Sequence, residues 1–204
     1  MKPARFHPAR AVLGPGAPYL TAAVCAVALS AAFWPGNVGR LELSREALAR
    51  GEVWRLWTAH AAHYNHAHLL WNLAVFLPAA AWLESLSRGR LAGLLVLAPP
   101  LIGVVIFTAD LELARYAGLS GVAVAVLVLL ALTRLERGGE KFFWRAVLVV
   151  VAAKLAIETM APRAWLGQFA AGEARSVPLA HVVGAVVAAG WFAVARKRTK
   201  GAAG

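Results

Sequence analysis

The chain has 204 residues, 60% of them hydrophobic and 15% charged, with a mean hydropathy of +0.64 and a formal net charge of +11. That is too apolar for an ordinary soluble domain. The surplus of Lys and Arg falls between apolar runs rather than over one face, which argues against nucleic acid as the partner, and a single cysteine, Cys25, excludes an internal disulfide.

A spanning helix needs about 20 mostly apolar residues, and six segments approach that length: Pro18 to Trp34, His66 to Leu86, Leu91 to Ala109, Leu119 to Leu135, Trp144 to Met160 and Pro178 to Ala195. The first follows Met1-Lys2-Pro3-Ala4-Arg5 with no convincing small-residue cleavage site after it, and it reads as a retained span. The fold expected is all-α: a single polytopic domain over 1–204 with a core at about 18–195 and short basic tails at 1–17 and 196–204. Lys2, Arg5 and Arg10 precede the first segment, and Arg196, Lys197, Arg198 and Lys200 follow the last. Both termini therefore read as cytoplasmic, with an even number of spans.

The short loops agree. Those expected inside carry Arg88 and Arg90, then Arg134, Arg137, Lys141 and Arg145, whereas those outside mix Asp110, Glu112 and Arg115, then Arg163, Glu173 and Arg175. The one long connection, roughly Pro35 to Asn65, mixes balanced charges with Trp54 and Trp57. It is expected to lie in the outer membrane interface with Trp and Arg as anchors.

Segments two, four and six then run from outside to inside, and their opening residues include His68 and Asn72, Ser120, and His181. Polar groups at one shallow depth are costly unless they share an interior or watery site. A serine hydroxyl needs a base, and histidine is the usual one near neutral pH. Gly121 and Ala125 on one helix, and Ala180, Gly184 and Ala188 on the other, are spaced by four, which lets the two backbones approach. The Ser120 backbone N–H at a helix start, with His68 and Asn72 at i, i+4, offers oxyanion donors. No Asp or Glu accompanies this set, so a Ser-His dyad is expected, with His181 oriented by packing, backbone or water.

These residues resemble the rhomboid intramembrane serine proteases. The resemblance runs from about Trp54 to Gly184: Trp54-Arg55, His63 five residues before His68, His68-Leu-Leu-Trp-Asn72, Gly118-Leu119-Ser120-Gly121, and Ala180-His181-Val182-Val183-Gly184. It implies a six-helix bundle, Ser120 as nucleophile, His181 as base, and His68 and Asn72, with Gly118 and Leu119 beside them, lining the oxyanion and substrate side. It also implies no cofactor, a membrane-spanning protein as substrate, and a multi-pass protein of the bacterial inner membrane whose site opens outward. Tyr116, Ala153-Lys154-Leu155 and Glu158 look most like the rhombosortase branch, associated with cutting C-terminal Gly-Gly-type sorting tails from exported proteins. Val124 stands where many rhomboids carry an aromatic residue that packs on the base.

Blander readings stand beside these. Ser120 could cap a helix, and His68 and Asn72 could cross-link helices. His60, His63, His66 and His68 invite a metal-binding or transport reading, but no cysteine or carboxylate joins them locally, and no metal is expected. Lys154 and Glu158, one turn apart, are expected to neutralise each other.

Overall fold

A computed structural model describes residues 16–34, 36–160 and 177–201. Lys2, Arg5 and Arg10 of the basic N-terminal tail, and Arg163, Glu173 and Arg175 of the last outer loop, lie outside the described residues. The elements in order are α1 (Tyr19–Phe33), α2 (Asn37–Leu41), β1 (Leu43–Ser44), α3 (Arg45–Ala49), α4 (Arg55–Thr58), α5 (His66–Ala109), β2 (Arg115–Tyr116), α6 (Ser120–Glu136), α7 (Lys141–Met160) and α8 (Pro178–Gly201). Apart from the two-residue pairing of β1 with β2, the regular structure of the described residues is all-α, as expected.

The second and third apolar runs are the two arms of α5. They meet at Ser87, whose φ of −160° and ψ of 88° break the helix without a loop. Asn65 starts the first arm by accepting the His68 N–H at 2.7 Å, a side-chain cap for an otherwise orphaned donor.

Contacts at the helix ends fix the directions. The Gly118 turn before α6 lies against His68 at the start of the first arm, while Arg137 after α6 donates to the Leu86 carbonyl at that arm's end. The two therefore run parallel. Gly121 of α6 packs on Ala180 of α8, and Glu136 pairs with Arg196 at the opposite end, so α8 runs with them. α1 and α7 run the other way, because Thr21 meets Glu84 and Glu158 meets His181. The second arm also runs opposite, since Arg90 near its start pairs with Glu136.

α6 is buried all round from Gly121 to Val126 and packs on α5, α7 and α8. A helix apolar on every side belongs at the centre. α7 buries only Trp144 and Val151 and exposes Phe142, Phe143, Val149, Val150 and Ile157. Among the described residues, two helices, His66–Ala109 and Pro178–Arg198, have both the length and the hydropathy of a membrane span. α1 and α6 have 15 and 17 residues, and α7 carries Lys141, Arg145, Lys154 and Glu158.

Glu84, buried near the end of the first arm, accepts the Leu20 and Thr21 N–H groups at 3.0 and 2.9 Å and the Thr21 hydroxyl at 2.8 Å. It caps α1 from another helix. Glu84→Ala orphans those donors and is expected to cost about 2 kcal/mol. Faster maleimide labelling of Cys25, half-buried on α1, would report the loosened helix.

The connection before α5 is more internally bonded than an interfacial strap. Trp54 and Trp57 are exposed, in keeping with an anchoring role. The arginines differ from expectation. Arg55 is buried and donates to the Gly39 and Glu42 carbonyls at 2.9 and 2.8 Å while pairing with Glu52, and Arg45 donates to the Phe107, Asp110 and Leu113 carbonyls. Loop carbonyls without a helix or sheet partner need such donors. Pro100 has no N–H for the Val96 carbonyl four residues back, and Trp57 Nε1 donates to it instead, at 3.2 Å.

Candidate active site

Ser120 opens α6 directly after a turn that only glycine accommodates. Gly118 has φ +132°, and a Cβ there would stand 2.7 Å from His68 Cε1 and 3.0 Å from His68 Nε2, with Asn72 Nδ2 at 3.8 Å. The turn is therefore pressed onto the face of α5 that carries His68 and Asn72. His68 Nδ1 and Asn72 Nδ2 are buried and, among the described residues, have no hydrogen-bond partner. Buried polar groups are normally paired, so these two are the side-chain atoms beside the turn that the described residues leave without a partner.

Two further histidines hold the turn from behind. The Gly118 N–H donates to the Ala59 carbonyl at 3.0 Å, and the Leu119 N–H donates to His63 Nε2 at 3.3 Å. The N–H groups of Gly118 and Leu119 are thus committed to the loop, and these residues shape the turn through their backbone. Because Nε2 of His63 accepts, Nδ1 carries the hydrogen and donates to the Ala61 carbonyl at 3.1 Å. His60 lies between the Gly118 and Pro99 carbonyls, and the Tyr116 hydroxyl also donates to Gly118 O, at 3.2 Å.

The members of the histidine cluster have separate partners. His60 and His63 are spent on backbone groups, His66 stacks on Phe33 with ring centroids 6.0 Å apart, and the described residues contain no group of three ligands placed to hold a metal.

Burial pulls both His60 and His63 down to about 4, with the neighbouring His68 charge adding to the effect at His63. A histidine whose folded value lies below its unfolded value of 6.5 favours the folded state while neutral, and that contribution is lost as pH falls from about 6.5 towards about 4. The shift corresponds to about 3 kcal/mol for each residue. Thermal unfolding in detergent is expected to show a steep loss of stability over that window, and a shallower one in His60→Gln and His63→Gln.

On the other side of the turn, α6 and α8 meet backbone to backbone. A Cβ on Gly121 would lie 2.8 Å from the Ala180 carbonyl oxygen, and one on Gly184 would collide with the Gly121 carbonyl and touch Ala125. Ser120 precedes Gly121 and His181 follows Ala180, so the two flank the tightest helix contact in the site. Ser120 is partly buried and His181 is buried.

The expectation that no carboxylate accompanies His181 is overturned. Glu158 Oε2 lies 2.8 Å from His181 Nδ1, and Glu158 Oε1 accepts from Lys154 Nζ at 2.6 Å. Lys154 Nζ also stands 3.4 Å from the same ring nitrogen. Lys154 and Glu158 do pair, as expected, but with one carboxylate oxygen only. The antiparallel course of α7 brings its last turns beside the first turn of α8.

The family model for the rhomboid domain matches residues 50–198. The chain belongs to the rhomboid family. No curated protein matches it. Rhomboids are intramembrane serine proteases that act on transmembrane substrates within the bilayer, and with its long apolar helices this rhomboid is an integral membrane protein. The match includes every residue of the site, and α1 lies before it.

Proposed function

We propose that this rhomboid is a protease that cuts a membrane-spanning substrate near its outer end, with Ser120 as nucleophile and His181 as general base. The observation that carries the reading is the Gly121, Ala180 and Gly184 contact, which sets the opening residues of α6 and α8 side by side at the rim where His68 Nδ1 and Asn72 Nδ2 stand unpaired. Ser120 Oγ attacks the scissile carbonyl as its proton passes to His181, and the oxyanion is met by Asn72, His68 and the Ser120 N–H. His181 then gives the proton to the leaving amine. A water deprotonated by the same imidazole cleaves the resulting ester and frees Ser120.

The six rods are read as six spans in a bacterial inner membrane, both termini cytoplasmic and the site facing the periplasm. The basic residues of 196–200 and of the Arg88, Arg90 and Arg137 turns, which lie at the end opposite Ser120, support that orientation. The substrate proposed is an exported protein with a C-terminal Gly-Gly-type tail helix, as for a rhombosortase. Its support is the resemblance at Tyr116, Lys154 and Glu158. Purified enzyme is to be given a Gly-Gly-tailed protein and a generic rhomboid substrate, with the products weighed by mass spectrometry. Cleavage of the tailed protein at the outer end of its helix is expected. Cleavage of the generic substrate alone would remove the rhombosortase assignment and leave the protease.

A further inference from the structure

We propose that Glu158 is a positioning residue for His181, so that the site works as a Ser-His-Glu relay rather than as a dyad; this rests on the assignment of Ser120 and His181 above. A carboxylate near the end of an apolar helix is costly to keep away from water, and it persists where it is paired. Glu158 has a side chain only 13% exposed and spends its two oxygens differently, one on the Lys154 ammonium and one on the imidazole. With Lys154 on Oε1 the group is an acceptor, so His181 Nδ1 carries the hydrogen and donates it to Oε2. The lone pair is thereby left on Nε2, the nitrogen that must take the Ser120 proton.

The same contact does a second thing. When His181 accepts that proton it becomes a cation, and the carboxylate 2.8 Å from Nδ1 stabilises the charge without itself being protonated. Val124 is small and aliphatic, so no aromatic ring four residues after Ser120 supports the imidazole. Glu158 supplies the missing constraint from α7. Lys154 sets the rotamer of Glu158 through an i, i+4 pair and balances its charge, with a side chain 45% exposed.

The test compares cleavage by the full chain in detergent or liposomes for wild type, Glu158→Gln, Glu158→Asp, Lys154→Met and Ser120→Ala, with kcat and KM separated and a melting temperature for each. Glu158→Gln is expected to lower kcat by about 10²-fold or more with KM within about threefold. Labelling of Ser120 by a fluorophosphonate should slow in parallel. Glu158→Asp, which keeps the charge, should restore part of the rate, and Lys154→Met should lose less than Glu158→Gln.

A merely structural ion pair would lower the melting temperature or folded yield without a selective loss of kcat, and it would be hurt as much by Lys154→Met. That pattern overturns the proposal, as does wild-type kcat in Glu158→Gln. If Ser120→Ala is inactive while Glu158→Gln is normal, only the positioning role falls. If Ser120→Ala still cleaves, the assignment of nucleophile and base falls, and this inference with it.

Discussion

Ser120→Ala is expected to lower the cleavage rate by at least about 10⁴-fold, with the protein still folded. The hydroxyl sits on the first residue of a central helix whose own hydrogen bonds do not depend on it, and alanine is the best helix former, so stability should barely change. What is lost is the covalent step. The described hydroxyls nearest the site are otherwise engaged: that of Tyr116 is buried and bonded to Gly118 O, and that of Thr159 bonds the Leu155 and Ala156 carbonyls. His181→Ala should cost a similar factor, and the double variant should be little worse than either single one, because groups that act as one unit do not add. Rates above about a hundredth of wild type in Ser120→Ala, measured by gel or mass spectrometry of the cut substrate, would remove the serine mechanism.

The second large effect belongs to a residue with no chemistry. Gly184→Ala is expected to lower activity by about 10²-fold, because the new methyl group meets the backbone carbonyl of Gly121 rather than a side chain able to move aside. The helices must separate, and with them Ser120 and His181. Overpacking of this kind also costs about 1–3 kcal/mol of stability. Gly190→Ala, on the same helix with nothing within 4 Å of its Cβ position, is the control and should be unaffected. Equal activity in the two variants would mean that the close approach of α6 and α8 is not what sets the site.

The six apolar runs were legible because long helices among apolar surroundings need long uninterrupted apolar stretches, and each expected boundary falls within about three or four residues of an observed helix end or of the Ser87 break, save for the last helix, which runs on to Gly201. The pairing of α6 with α8 was legible from Gly121, Ala125, Ala180 and Gly184 at intervals of four. Glu158 was not legible from depth because the shared level of His68, Ser120 and His181 concerns the opening residues of parallel helices, whereas α7 runs antiparallel to them. Its last turns therefore lie level with the first turn of α8, and a carboxylate two residues before Met160 was the available signal. The roles of His60 and His63 had no such signal. Each bonds one backbone atom of a turn nearly 60 residues away and a second backbone carbonyl elsewhere, and contacts of that kind are set by how the loop folds rather than by any periodicity. Arg45 and Arg55 were misread for the same reason, since an arginine bound to loop carbonyls and one reaching for headgroups look alike in a string of letters.

One more property follows from the solid packing of the bundle. The polar residues at the Ser120 rim give way within one to three turns to Phe76, Ala80 and Leu83 on α5 and to Val126, Leu129 and Leu130 on α6, each at most 2% exposed. At 1.5 Å per residue, Leu129 sits about 14 Å beneath Ser120. Below the Ser120 rim these two helices therefore present an apolar floor, which disfavours water or ions passing further down between them.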